Sequence, residues 1–282
     1  MKLTTWNINS VRIRTEQVAK FVAEQKPDVL CLQEIKCQEG EFPRQAFEEM
    51  GLPHLAIAGQ KGWHGVAIAS RLPLEPVAPL DVCREGHARC VAVKVAGVEL
   101  QNFYIPAGGD LPDRALNPKF DHKLDFYDRL TQLAQARDPR TPMVMVGDLN
   151  IAPSEYDVWN HRYMLKVVSH TPIETEAMGA LKTAGSFTDL VREAHGETQR
   201  LASWWSYRAA DFRQSNRGLR LDHIWVTPGL REAAFRSGGA AARIHDDVSE
   251  LRRRGLIDAE GHRISTELPD DMKPGAQRDF GG

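Results

Sequence analysis

Four short stretches place polar side chains where an apolar segment stops. "MVMVGDLNI" (143–151) runs four apolar residues into Gly147 and then presents Asp148 and Asn150, two residues apart. "DVLCLQEIK" (28–36) ends on Gln33 and Glu34, with Lys36 just beyond. In "TTWNIN" (4–9), a period of two puts Thr5, Asn7 and Asn9 on one strand face and Trp6 and Ile8 on the other. "GLRLDHIWVT" (218–227) holds Asp222 inside an apolar run, and His223 beside it should point the opposite way. A single strand-end carboxylate is most often a turn former or helix cap. Taken together, Glu34, Asp148 and the amide oxygens of Asn7 and Asn150 supply what a hard divalent cation such as Mg2+ needs, because such ions take oxygen ligands and keep several waters. No thiolate or histidine cluster accompanies them, which argues against zinc there.

The segments that must carry these residues are short, rich in Val, Ile, Leu or aromatics, and bounded by Gly, Pro or polar clusters. Strands are predicted within 2–9, 28–34, 64–70, 90–95, 99–105, 143–150 and 220–227, with 90–95 and 99–105 forming a hairpin through "AG". Helices are predicted after Thr15, read as an N-cap, up to Pro27, and over 117–137, where Phe120, Leu124, Tyr127, Leu130 and Leu133 share one face. A further helix is predicted over 186–196, with Ser186 as cap and Gly196 as stop. Strand–helix–strand units mixed with hairpins imply an α/β protein with mixed sheets, two of them packed between outer helices. No repeat or linker divides the chain, so one domain is predicted up to about residue 245.

The composition fits a soluble globular protein: 282 residues, 42% hydrophobic and 26% charged. A chain of this length buries enough apolar surface to fold without disulfides or metals. The start "MKLTTWNINS" lacks the regions of a signal peptide, and no apolar run approaches the ~20 residues of a membrane helix. Cys31, Cys37, Cys83 and Cys90 show neither a CxxC nor a Cys/His zinc spacing, and reduced thiols in a cytoplasmic protein are expected. A net charge of −2 excludes nucleic-acid binding by bulk charge and leaves only a local basic patch.

The stretches "TWNINS", "LQEIK", "HGVAIAS", "NFYIPAGG", "GDLNIAP", "SWWSYR" and "NRGLRLDHIWVT" follow one another as in the endonuclease/exonuclease/phosphatase superfamily. Over residues 1 to 245 the chain resembles, more narrowly, the bacterial exodeoxyribonuclease III group of abasic-site endonucleases. The resemblance implies a deoxyribonuclease I-like four-layer α/β sandwich with the active site at one edge of two packed sheets. It implies hydrolysis of DNA phosphodiesters with Mg2+ or Mn2+, on double-stranded DNA bearing abasic sites or 3′ ends, by a monomer. Asn7 and Glu34 then belong to the metal site. Tyr104 contacts the scissile phosphate or its water, Asp148 orients or deprotonates that water, Asn150 supports the transition state, and Asp222 orients a catalytic histidine. Phosphodiester hydrolysis builds charge on phosphate oxygens, so a cation with neutral donors such as Tyr104 and Asn150 suits it. No Ser or Cys nucleophile elbow is present, which favours direct attack by water.

For DNA, "SWWSYR" supplies Trp204, Trp205, Tyr207 and Arg208, followed by Arg213, Arg217 and Arg220. Aromatic rings support extrahelical sugars or bases, and arginines hold phosphates. An extended backbone lets only one tryptophan line a pocket, and the family pattern selects Trp205. Lys36, Lys119 and Arg84 are further candidates for phosphate contact.

One departure from the family stands out. Its members close with a Ser-Asp-His-x-Pro-Val strand, whose His is catalytic and whose Asp belongs to the metal site. The present chain runs on after "ARIHDDVSE" without that motif, and "KPGAQRDFGG" keeps only the Lys-Pro that often precedes it. His245 and His262 follow, neither with the Pro and apolar strand expected. Two expectations result: an altered end that impairs or abolishes activity, leaving in the extreme a DNA-binding relic, or a site re-formed by the tail. Residues 246–282 are charged and weakly apolar, and read as a divergent, partly disordered tail. A phosphomonoesterase or inositol-phosphate phosphatase of the same fold is the alternative enzyme class.

Overall fold

The computed structural model describes residues 1–205, 216–235 and 244. Strands β1 (Leu3–Asn7), β2 (Val29–Gln33), β3 (His54–Ala58) and β4 (Val66–Ser70) form one sheet in the order β1-β2-β4-β3. A second sheet contains β5 (Glu75–Pro76), β6 (Cys90–Val95), β7 (Val98–Tyr104), β8 (Met143–Asp148) and β9 (Thr188–Asp189). Next come β10 (Trp204–Trp205) and β11 (Gly218–Leu219), a separate two-stranded ribbon, and β12 (Asp222–Val226), which joins the second sheet in the order β5-β6-β7-β8-β12-β9. Both large sheets are mixed: β1 with β2 and β7 with β8 run parallel, and the remaining pairs antiparallel.

Both faces of each sheet are covered, which is why the central strands read as unbroken apolar runs. On β2, Val29 and Cys31 face the other sheet, while Leu30 and Leu32 pack outward with α1 (Thr15–Gln25) and α2 (Arg44–Glu49). On β8, Val144 and Val146 face inward, and Met143 and Met145 pack outward beneath α3 (Pro118–Gln135) and α5 (Pro172–Ala184), which flank the short α4 (His161–Met164). The result is the predicted helix–sheet–sheet–helix sandwich. A polar tie sits between its sheets. Gln33 Nε2 donates to Asn102 Oδ1 at 2.6 Å, and Asn102 Nδ2 donates to the carbonyls of Leu32 and Ala67, both at 3.0 Å.

The hairpin through Ala96-Gly97 and the helix capped by Asn117 form as predicted. Three local details differ. Thr15 is the first residue of α1 rather than its cap, and its hydroxyl donates back to the Val11 carbonyl at 2.9 Å. The buried stripe of α3 runs from Phe120 to Ala134 and passes from Leu130 directly to Ala134, leaving Leu133 at the surface. Ser186 sits in a left-handed turn (φ 53°), after which β9 intervenes and Asp189 caps α6 (Leu190–His195), which Gly196 closes as expected.

Candidate active site

Adjacent ends of the two sheets deliver the polar residues to one place. β1 and β2 bring Asn7 and, one residue past β2, Glu34. In the other sheet Asp148 stands directly opposite Tyr104 of β7 and opposite Asp222 of β12. This close pairing needs Gly147. At φ 135° a Cβ there would sit 1.9 Å from the Phe103 carbonyl oxygen, so no other residue fits without moving β7. The chain then leaves extended geometry, with Asn150 at φ 54°. Asp148 and Asn150 therefore do not share a strand face in the simple way their spacing suggests.

Asn7 bridges the sheets: its Nδ2 donates to Glu34 Oε1 and to Asp148 Oδ2, each at 2.9 Å. The Asn150 backbone N–H donates to Asp148 Oδ1 at 3.1 Å, and its side-chain Nδ2 donates to the Ile105 carbonyl at 2.8 Å. Lys36 Nζ lies 3.1 Å from Glu34 Oε2 and donates to Asn9 Oδ1 at 2.7 Å. Ser203 Oγ donates to Asp222 Oδ2 at 2.7 Å, whereas the buried Asp222 Oδ1 accepts no hydrogen bond among the described residues. Tyr104 is buried, with the Arg89 guanidinium 5.0 Å from its ring centre.

These surroundings oppose negative charge. Burial, then the neighbouring Asp222, and to a lesser degree Glu34 push Asp148 well above the usual carboxylate range. Burial likewise raises Asp222, to about 6, against the hydrogen bond from Ser203. Tyr104 is held neutral by burial and by Glu34 beside it. A cluster of hard oxygens with raised carboxyls and an unshared Oδ1 fits a divalent cation, whose charge would relieve the repulsion. Glu34, Asp148, Asp222 and, with its amide turned, the Asn7 oxygen would hold it. The Asn150 side chain is oriented by its Nδ2 bond to the Ile105 carbonyl, and its backbone N–H fixes Asp148.

Sequence reasoning missed what lies beneath. Lys123 is fully buried on α3, where its Nζ donates to the Asn150 carbonyl at 2.7 Å and to Glu174 Oε1 at 2.5 Å. Tyr127 donates its hydroxyl to the Leu149 carbonyl at 2.6 Å. These two hold the turn that carries Asn150. The readable signal was "TPIE" (171–174), a capping-box pattern that places Glu174 at the start of α5.

The predicted DNA contacts separate. Trp205 is half-buried, packs where a Cβ on Gly218 would meet its indole, and donates Nε1 to Asn216 Oδ1 at 3.3 Å, while Trp204 is exposed. Arg217 is exposed and stacks over the Trp159 ring at 4.7 Å. Lys119 is exposed in the first turn of α3. Arg84 is committed to Asp121 at 2.6 Å. Arg220, by contrast, is no phosphate ligand: it is buried against Asp157 and Asp189, because its side chain points to the opposite side of the segment from Asp222. His223 also turns away as predicted, with Nε2 on the Ile151 carbonyl at 2.9 Å. Arg208, Arg213, His245, His262 and the 246–282 tail lie outside the described residues.

Residues 4–249 match the Endonuclease/Exonuclease/phosphatase family. The chain is 32% identical to exodeoxyribonuclease III of Haemophilus influenzae across 82% of its own length and 90% of that protein. It is 31% identical to the DNA repair nuclease APEX1 of Danio rerio, covering 84% and 77% of the two chains. An AP endonuclease structure from Archaeoglobus fulgidus superposes with a TM-score of 0.76 at 33% identity, covering 82% of this chain and 88% of that one. The 3′ phosphatase NExo from Neisseria, bound to product DNA hairpin, gives 0.76 at 32%, covering 93% and 96%. With the two-sheet sandwich and the carboxylates at its edge, this places the chain in the Endonuclease/Exonuclease/phosphatase family.

Proposed function

We propose that the protein is a Mg2+-dependent hydrolase of DNA phosphodiesters acting in repair, which incises duplex DNA at abasic sites and trims or cleans 3′ ends. One observation carries the reading: the Asn7 amide bridges Glu34 and Asp148 from two sheets, and Asp222 stands opposite Asp148 with a buried carboxylate oxygen left unshared among the described residues. A bound divalent cation would supply positive charge to the phosphate oxygens as negative charge develops there. The protein's own groups do the rest. Asp148, oriented through both oxygens by Asn7 and the Asn150 N–H, accepts a proton from the attacking water. The neutral Tyr104 hydroxyl donates to a phosphate oxygen without adding a repelling charge. Asn150 supports the transition state by keeping Asp148 in place. Asp222, held by Ser203 opposite Asp148, stands where the family resemblance expects the aspartate that orients a catalytic histidine.

Trp205 lines the pocket for an extrahelical sugar, while Lys36, Lys119, Arg208 and Arg217 track the DNA backbone. The protein works as a cytoplasmic monomer. Among the described residues no helix is long and apolar enough to cross a membrane. An assay with a duplex carrying one abasic site, beside soluble phosphate monoesters and inositol phosphates, tests the reading. The expected result is incision of the duplex with Mg2+ that is lost on chelation. Hydrolysis of the soluble esters alone, or tight binding of the duplex without incision, overturns it.

A further inference from the structure

Outside the carboxylate cluster, the fold assembles a second group of ligating side chains that the linear sequence does not reveal. Glu85 and His87 lie on the loop between β5 and β6, and His122 lies 35 residues further on, in the second turn of α3. Their ligand atoms all fall within 4.8 Å of one another. The Glu85 carboxylate stands between the two rings, with Oε1 3.3 Å from His122 Nδ1 and Oε2 3.5 Å from His87 Nδ1.

These separations are informative. A charge-assisted N–H to carboxylate bond closes to about 2.7–2.9 Å. Two ligands at ~2.1 Å from a common tetrahedral metal stand about 3.4 Å apart. The Glu85–imidazole distances, one to each carboxylate oxygen, are longer than the first figure and lie near the second. His87 Nδ1 is buried and makes no hydrogen bond among the described residues. On the other edge of the His122 ring, Nε2 lies 3.4 Å from the buried Cys83 Sγ. A sulfur accepting from Nε2–H leaves the lone pair on Nδ1, directed at Glu85, which is how an outer partner fixes a metal-binding tautomer.

We infer that Glu85, His87 and His122 form a site for a borderline-soft divalent ion of the Zn2+ class, with one position open to solvent. Two nitrogens and one carboxylate oxygen select such an ion over Mg2+, which needs octahedral oxygen. The ion would clamp the 83–89 loop to α3. That loop ends at Arg89, whose guanidinium donates to the Tyr104 carbonyl at 3.3 Å and whose carbonyl accepts the Tyr104 N–H at 2.8 Å. The zinc site thus braces the backbone behind Tyr104 without contacting the reacting groups.

The test uses the full chain stripped by chelator and then dialysed against Zn2+ alone in excess Mg2+, which occupies the oxygen cluster. One Zn2+ per chain is expected, with two imidazoles in its X-ray absorption spectrum and a raised melting temperature. His87→Ala, at a partly exposed ring whose loss spares the core, should weaken Zn2+ binding at least tenfold while keeping the apo melting temperature. Glu34→Gln should retain the Zn2+. No Zn2+ retained by the wild type, an oxygen-only spectrum, or unchanged binding in His87→Ala would overturn the proposal.

Discussion

Two sets of buried carboxylates lie on either side of the segment 220–223, and they are treated in opposite ways. Asp157 and Asp189 face Arg220 and His223. Asp157 pairs with Arg220 at 2.7 Å and with Arg192, and Asp189 meets Arg220 at 2.9 Å. Burial would raise Asp189, but the His223 ring beside it and the charge of Arg220 outweigh it and hold its carboxyl far below the usual range. Asp148 and Asp222 face the other way, hydrogen-bonded among the described residues only by amide and hydroxyl donors, and burial raises both, with the Arg220 charge offsetting part of the rise at Asp222. A carboxylate with its cation already in the fold is finished structurally. One that has only amide and hydroxyl donors keeps an electrostatic deficit for an ion or proton to fill.

The sharpest test of the contrast replaces one carboxylate on each side. Asp148→Asn should lower turnover on abasic duplex by about 10³-fold, or ~4 kcal/mol in the barrier, with no loss of melting temperature. Asp157→Asn should do the reverse, costing about 3 kcal/mol of stability by leaving Arg220 and Arg192 underpaired in the core, as read by urea unfolding. Equal loss of stability in both variants would break the contrast. Next in size is a pH effect. A carboxyl raised in the fold is costlier to ionise there than in the unfolded chain. The stability that protonated Asp222 retains is therefore full below about pH 4 and lost as pH climbs through about 6. In chelator, the stability difference between wild type and Asp222→Asn should move against the wild type by about 2 kcal/mol from pH 4 to 7, after discounting for exposure. Mg2+ should erase the gap, and a difference that does not vary with pH would count against the assignment. The smallest effect is expected at Lys36, which already offsets part of the Glu34 charge. Lys36→Met should tighten Mg2+ binding by less than tenfold, measured by titration calorimetry, because Lys36 Nζ divides its contacts between Glu34 and Asn9 Oδ1.

Residues whose position follows from period and strand length were legible in advance. Asn7, Glu34, Asp148 and Asp222 all sit at strand ends or in strand register, and the structure brings them together with Tyr104, which the family resemblance supplied. What escaped were contacts between distant segments with no local signal. Lys123 looks like an ordinary polar position in an amphipathic helix, yet it is fully buried because Glu174, 51 residues on, meets it there. Arg220 looked like a phosphate ligand because it follows a basic, aromatic stretch, and only its ion pairs with Asp157 and Asp189 show which side it faces. Glu85, His87 and His122 lack any zinc spacing because a helix and a loop, not a single turn, bring them together.

The bridge from Asn7 to Asp148 spans 141 residues of sequence and joins two separately hydrogen-bonded sheets. Neither sheet alone holds more than part of the carboxylate set. A chain caught during folding with one sheet formed therefore has no site for the catalytic ion, and nucleic acid in its vicinity is safe from it. Competence to cut arrives only with the docking of the sheets, so ion binding reports the completion of the whole sandwich.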